Sequence, residues 1–112
     1  MNHSIAHLPI ANREHSSVCI SGFTKLAGVE IASLRDEVKL CMNLDCTRVY
    51  LDARNVNHTD LSGINEVIHA HYCLSQINKE LILVYRRKSI IERWVETTQL
   101  NSFVKIAILP AI

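Results

Sequence analysis

From residue 48 to residue 85 the chain reads strand, helix, strand, and this succession of periods restricts the fold more than any other feature. Arg48-Val49-Tyr50-Leu51-Asp52-Ala53 has the apolar content and length of a buried strand. Asp60 then precedes a stripe in which Ile64, Val67, Ile68, Leu74 and Ile77 recur at helical spacing, with His71 in the gap. The run over residues 80–85, Glu80-Leu81-Ile82-Leu83-Val84-Tyr85, returns to strand length and composition. Two strands joined through a helix pair in parallel by a right-handed crossover. The whole chain must be built around that unit.

The flanking segments extend it. Residues 4–10 and 16–23 have strand patterns, and the polar stretch Asn12-Arg13-Glu14-His15 between them predicts a hairpin turn. In the second run Val18, Ile20 and Gly22 share one face, with Cys19 and Ser21 on the other. Residues 27–42 read as a helix, with Ile31, Leu34, Val38 and Cys41 inward and Glu30, Arg35, Asp36 and Lys39 outward. Asn43 to Thr47 form a polar break, and Asn55 to Thr59 a polar loop. The helix after Asp60 runs to about Ile77, and Asn78 suits a left-handed end. Ser89 caps a third helix to about Thr98, with Ile90, Ile91, Trp94 and Val95 inward. Phe103 to Leu109 alternates as a last strand that Pro110 ends. The fold class is α/β: a mixed, mostly parallel β-sheet with an N-terminal hairpin and three α-helices.

The 112 residues suffice for one core, and residues 1–112 are read as a single domain. A 48% apolar content fits a globular chain. The formal net charge is +1 with basic residues dispersed, which argues against nucleic-acid binding. Arg86-Arg87-Lys88 is read as a solvated turn. No apolar run reaches bilayer length, and Met1-Asn2-His3-Ser4 lacks the pattern of a signal peptide, so a cytoplasmic location without membrane insertion is expected. Cys19, Cys41, Cys46 and Cys73 show no C-x-x-C spacing and would stay reduced there; Cys19 and Cys41 read as small core residues.

The block Val49-Tyr50-Leu51-Asp52-Ala53, then Asp60-Leu61-Ser62-Gly63-Ile64, a helix, and Glu80-Leu81-Ile82-Leu83-Val84 resembles the STAS domain family. That family includes bacterial anti-sigma factor antagonists and the cytoplasmic domains of sulfate transporters. Its hallmark is a strand ending hydrophobe-Asp-hydrophobe, followed by Asp-Ser-Ser/Thr-Gly-Leu at a helix start. The resemblance spans nearly the whole chain and is strongest over residues 48–106, where Leu100 follows the third helix as it does in the family. Three departures stand out. The family's phosphorylatable serine is Leu61, with Ser62 keeping the second hydroxyl position. Phe23-Thr24-Lys25 follows Gly22 where many members are acidic. The family's C-terminal helix has no counterpart before Ile112.

The resemblance implies a non-enzymatic regulatory domain that docks through Asp60, Leu61, Ser62 and Gly63 onto an anti-sigma factor or serine-kinase-like regulator. In the antagonists a phosphate on that serine controls binding, because it adds roughly −1.5 to −2 charge at a helix N-terminus. Leu61 cannot carry it, so the expectation is a constitutive binder, with Ser62 as the alternative phosphosite. The blander expectations are that Asp60 is a helix cap, that Ser62 hydrogen-bonds the helix start, and that Gly63 permits close packing. A second reading is the cytoplasmic accessory subunit of a phospholipid-trafficking ABC transporter, with the ATPase subunit as partner. An uncovered sheet face would favour a homodimer or a partner helix.

Catalytic chemistry finds little support. His58 lies near Ser62 without a third partner, and G-x-S-x-G, G-x-G-x-x-G and P-loop motifs are absent. His69 and Cys73 share a helix face at i, i+4, but a closed zinc site needs four ligands. No metal and no cofactor is expected.

Overall fold

The computed structural model describes residues 4–7 and 16–111. In chain order these form β1 (Ser4–His7), β2 (Ser17–Ser21), β3 (Lys25–Leu26), α1 (Val29–Met42), β4 (Arg48–Asp52) and β5 (His58–Thr59). They continue as α2 (Leu61–Ser75), β6 (Glu80–Arg86), α3 (Ile90–Thr98), a 3₁₀ turn (Leu100–Ser102) and β7 (Lys105–Leu109). Five strands make one sheet in the order β1-β2-β4-β6-β7. β1 is antiparallel to β2, and every later pairing is parallel. The α/β class, the mixed sheet, the hairpin pairing and the three helices follow the sequence pattern.

Each parallel crossover steps one strand further in the same direction. Right-handed connections then put α1, α2 and α3 on one face. Burial agrees. Val18, Ile20, Val49, Leu51, Leu81, Leu83 and Tyr85 alternate along their strands and join one apolar cluster. Leu34, Val38, Val67, Ala70, Leu74, Ile91 and Val95 close it from the helices. The opposite face carries Cys19, Tyr50, Val84 and Ala107, all half-buried, and a charged row in which Glu80 contacts Arg48 and Lys105.

Several boundaries differ from expectation. Residues 8–10 and the turn Asn12–His15 lie outside the described residues. β2 stops at Ser21 because Gly22, at φ 94°, turns the chain out of the ladder and drives Phe23 into the core. α1 starts at Val29, with Gly28 at φ 59° in the N-cap position. Its buried stripe is rotated from the apolar one: Glu30 and Glu37 are buried, while Ile31 is half-buried. α2 ends at Ser75, leaving Ile77 exposed in the following turn, and Asn78 takes the expected left-handed conformation at φ 62°. Phe103 is exposed and precedes the last strand, which starts at Lys105. Cys19 sits half-buried on the outer sheet face, whereas Cys41 is in the core as expected.

Two caps hold the frame. Ser89 Oγ accepts a hydrogen bond from the Glu92 backbone N–H, as the sequence predicts. Lys79, just before β6, donates Nζ–H to the carbonyls of Cys41 (2.9 Å) and Leu44 (2.5 Å). It thereby caps the C-terminal end of α1 with a positive charge, the sign that end favours.

Candidate docking turn

The segment after β4 is not a free loop. Asp52 accepts hydrogen bonds from the backbone N–H and the guanidinium of Arg54 and turns the chain. Asn57 N–H donates to the Thr24 carbonyl at 2.8 Å. His58–Thr59 then pairs in parallel with Lys25–Leu26 as a separate two-stranded sheet. The polar loop expected at residues 55–59 is therefore half a ladder. Two residues of strand are too short to leave a periodic signal, and Gly22 and Phe23 hide the partner strand in sequence.

This small sheet braces the start of α2. Asp60 is extended at φ −139°, and its carboxylate accepts from the Gly63 N–H at 3.0 Å, the expected N-cap. Thr59 Oγ1 donates to the Leu26 carbonyl at 2.9 Å in a buried bond. Gly63 packs directly on that pair. A Cβ at residue 63 would lie 2.0 Å from the Leu26 carbonyl oxygen and 2.4 Å from Thr59 Oγ1. Only glycine fits there, so the close packing read from sequence has a specific partner. Ser62 is exposed and its hydroxyl has no hydrogen-bond partner among the described residues. Asp60 does the capping that Ser62 was expected to share.

Leu61 is 57% exposed at the first position of this helix. The parallel register Leu26–Thr59 also brings the start of α1 to the same end of the molecule. Val29, its first residue, is 79% exposed. Two helix N-termini and two solvated aliphatic side chains thus share one end of the fold. Val29 and the β3–β5 brace were missed in sequence; an apolar residue directly after Gly28 was the available signal.

The four predicted residues Asp60, Leu61, Ser62 and Gly63 are contiguous on this turn, with two roles fixed by geometry: cap and close contact. His58 is exposed on β5 and has no hydrogen bond to Ser62. Among the described residues no three His, Cys, Asp or Glu side chains converge on a common metal position. No helix among them is long and apolar enough to cross a membrane.

Behind the turn, α1 and α2 are joined by an ion pair. Arg35 donates two hydrogen bonds to Glu66, at 2.7 and 3.3 Å. The Arg35 bonds hold the Glu66 carboxyl below the usual range although burial opposes this. Glu37 has no such partner, and burial pushes its carboxyl up.

The architecture matches solved structures of anti-sigma factor antagonists. Unphosphorylated SpoIIAA superposes with a TM-score of 0.67 at 15% identity, over 97% of this chain and 89% of that one. The phosphorylated form of SpoIIAA, the Bacillus cell fate determinant, gives 0.61 at 16% identity over 97% and 92%. An anti-sigma factor antagonist from Mycobacterium paratuberculosis gives 0.66 at 17% identity over 92% and 85%. No protein-family model and no curated protein matches the sequence. The chain therefore has the STAS fold of these antagonists. At such identities the likeness is one of fold, and the residues of the turn carry the functional argument.

Proposed function

We propose that residues 1–112 act as one regulatory docking domain of the anti-sigma factor antagonist type, without catalysis, in the bacterial cytoplasm. The domain binds an anti-sigma factor or serine-kinase-like regulator through Asp60, Leu61, Ser62 and Gly63. The observation that carries this reading is the solvated Leu61 on a helix start that Asp60 caps and Gly63 wedges against β3. A rigid turn presenting one aliphatic side chain spends little conformational entropy on binding. Leucine in the position of the family's switch serine makes the contact constitutive, leaving Ser62 as the local residue able to accept a phosphate.

Fully burying a leucine stabilises by roughly 1.5–3 kcal/mol. Burying the 57% of Leu61 that is exposed is then worth about 1–2 kcal/mol. Leu61→Ala should weaken the partner about fivefold to thirtyfold, and Leu61→Asp should abolish capture. Affinity purification from native cells with mass spectrometry tests this. The expected result is an anti-sigma regulator recovered with the wild type and lost with Leu61→Asp. Equal recovery with the variant refutes docking through this turn. Recovery of a transporter ATPase in its place selects the ABC accessory role, whose subunits also lack the usual serine.

A further inference from the structure

A groove of about 240 Å³ runs between α1 and α2, behind the docking turn. Val38, Met42 and Ala70 line it with apolar surface, and His69 and Cys73 stand on its α2 wall. Those two residues do more than share a helix face. Cys73 Sγ lies 3.6 Å from His69 Nε2. His69 Nδ1 lies 3.4 Å from Glu66 Oε2. Glu66 is buried and clamped by Arg35 from the other helix. The succession is thiol, imidazole, anchored carboxylate. The thiol is 4.0 Å from Nδ1, and Glu66 stands on the Nδ1 side of the ring, which leaves Nε2 as the nearer ring nitrogen within reach of the thiol proton, the neighbourhood in which a base activates a nucleophile.

We propose that Cys73 is a covalent capture site for small apolar α,β-unsaturated aldehydes, with His69 as general base, Glu66 as its positioning residue and the α1–α2 groove as the seat of the hydrocarbon chain. His69 takes the Sγ proton. The thiolate forms an S–C bond at the β-carbon, the C=C π pair shifts to join the α-carbon and the carbonyl carbon, and the C=O π pair moves onto the oxygen, giving an enolate. The proton held by His69 then passes to the α-carbon. No oxidant, reductant or leaving group is required.

The other cysteines lack this setting. Cys41 is fully buried, and burial, Cys46 and Glu37 push its thiol up to about 12. Cys46 is buried and donates to the Cys41 carbonyl. Cys19 is half-buried, and burial together with Asp52 raises its thiol. Cys19 therefore serves as an internal reference of comparable access. The proposal stands on the groove and is independent of the docking turn.

The test treats the full chain with trans-2-hexenal, fixes adducts with borohydride and counts them at each cysteine by peptide mass spectrometry. Acrylamide, a hydrophilic acceptor for the same addition, is run in parallel. Cys73 should react at least about tenfold faster than Cys19 with hexenal, and this preference should shrink with acrylamide. His69→Ala, at a solvent-facing position, should remove the advantage, and added free imidazole should restore part of it. Circular dichroism of the variant checks that α2 is intact. Equal rates at Cys73 and Cys19, an unchanged rate in folded His69→Ala, or an equal preference with acrylamide would each overturn the proposal.

Discussion

Gly63→Ala separates two physical effects of opposite sign at the docking turn. Residue 63 lies in the first turn of α2, where helix propensity alone favours alanine over glycine by about 1 kcal/mol. The tertiary structure opposes it. The new Cβ would lie 2.0 Å from the Leu26 carbonyl oxygen, 2.4 Å from Thr59 Oγ1 and 3.0 Å from the Leu26 carbonyl carbon. Backbone atoms cannot rotate away as a flexible side-chain end could, so α2 must retreat from β3 by about 1 Å to reach ordinary contact. Overpacking of this kind costs about 1–3 kcal/mol. The retreat also stretches the buried Thr59–Leu26 hydrogen bond, worth about 1 kcal/mol, and disturbs the Asp60 cap, worth about 1 kcal/mol. Against the propensity gain, the net loss is about 2–4 kcal/mol. Urea unfolding followed by circular dichroism should show the midpoint falling by about 1–2 M with the slope unchanged. Ser62→Ala is the matched control: exposed, unbonded and one residue away, it should shift stability by less than about 0.5 kcal/mol. A Gly63→Ala midpoint equal to or above the wild type would refute the close-contact argument.

The remaining predictions concern the frame behind the turn. Glu66 and Glu37 should give opposite pH signatures in urea midpoints. The Glu66 carboxyl is lowered on folding, so its stabilisation is full at neutral pH and is lost as pH falls through the folded value; Glu66→Gln should be destabilised at pH 7 and converge on the wild type in acid. The Glu37 carboxyl is raised on folding, so it favours the folded state only where it is protonated and opposes it as pH rises; Glu37→Gln should exceed wild-type stability at pH 7 and lose the advantage below about pH 4. Curves of the same sign for the two variants would contradict these assignments. Lys79→Met removes the charged donor from the Cys41 and Leu44 carbonyls and should lower stability by about 2 kcal/mol in thermal or urea unfolding, whereas an unchanged midpoint would mean that water serves the end of α1 equally well.

The fold of this chain was largely written in local periodicity. The stripe Ile64, Val67, Leu74, the Asp60 and Ser89 caps and the run at 80–85 are facts about neighbours within a few residues, and each reappears in α2, α3 and β6. The same reasoning failed where burial depends on distant chain. Glu30, Glu37 and Glu66 have polar side chains, yet the folded chain buries them, and Arg35 satisfies only Glu66. Periodicity fixes which direction a residue points on its own helix, but not how far a neighbouring element extends over it. Ile77 shows the converse: apolar and in phase, it is exposed because the helix ends at Ser75.

The docking turn divides in the same way. Sequence by itself determined that Asp60 caps a helix and that Leu61 carries no hydroxyl, since both depend only on residue type and adjacency. The tertiary structure alone decided why residue 63 must be glycine, because the obstructing carbonyl belongs to Leu26, thirty-seven positions earlier. It also decided that Leu61 faces solvent and that the start of α1 lies at the same end, through the β3–β5 pairing. Two-residue strands leave no period in a sequence; their hydrogen bonds form only once the larger sheet and helices have brought the segments together.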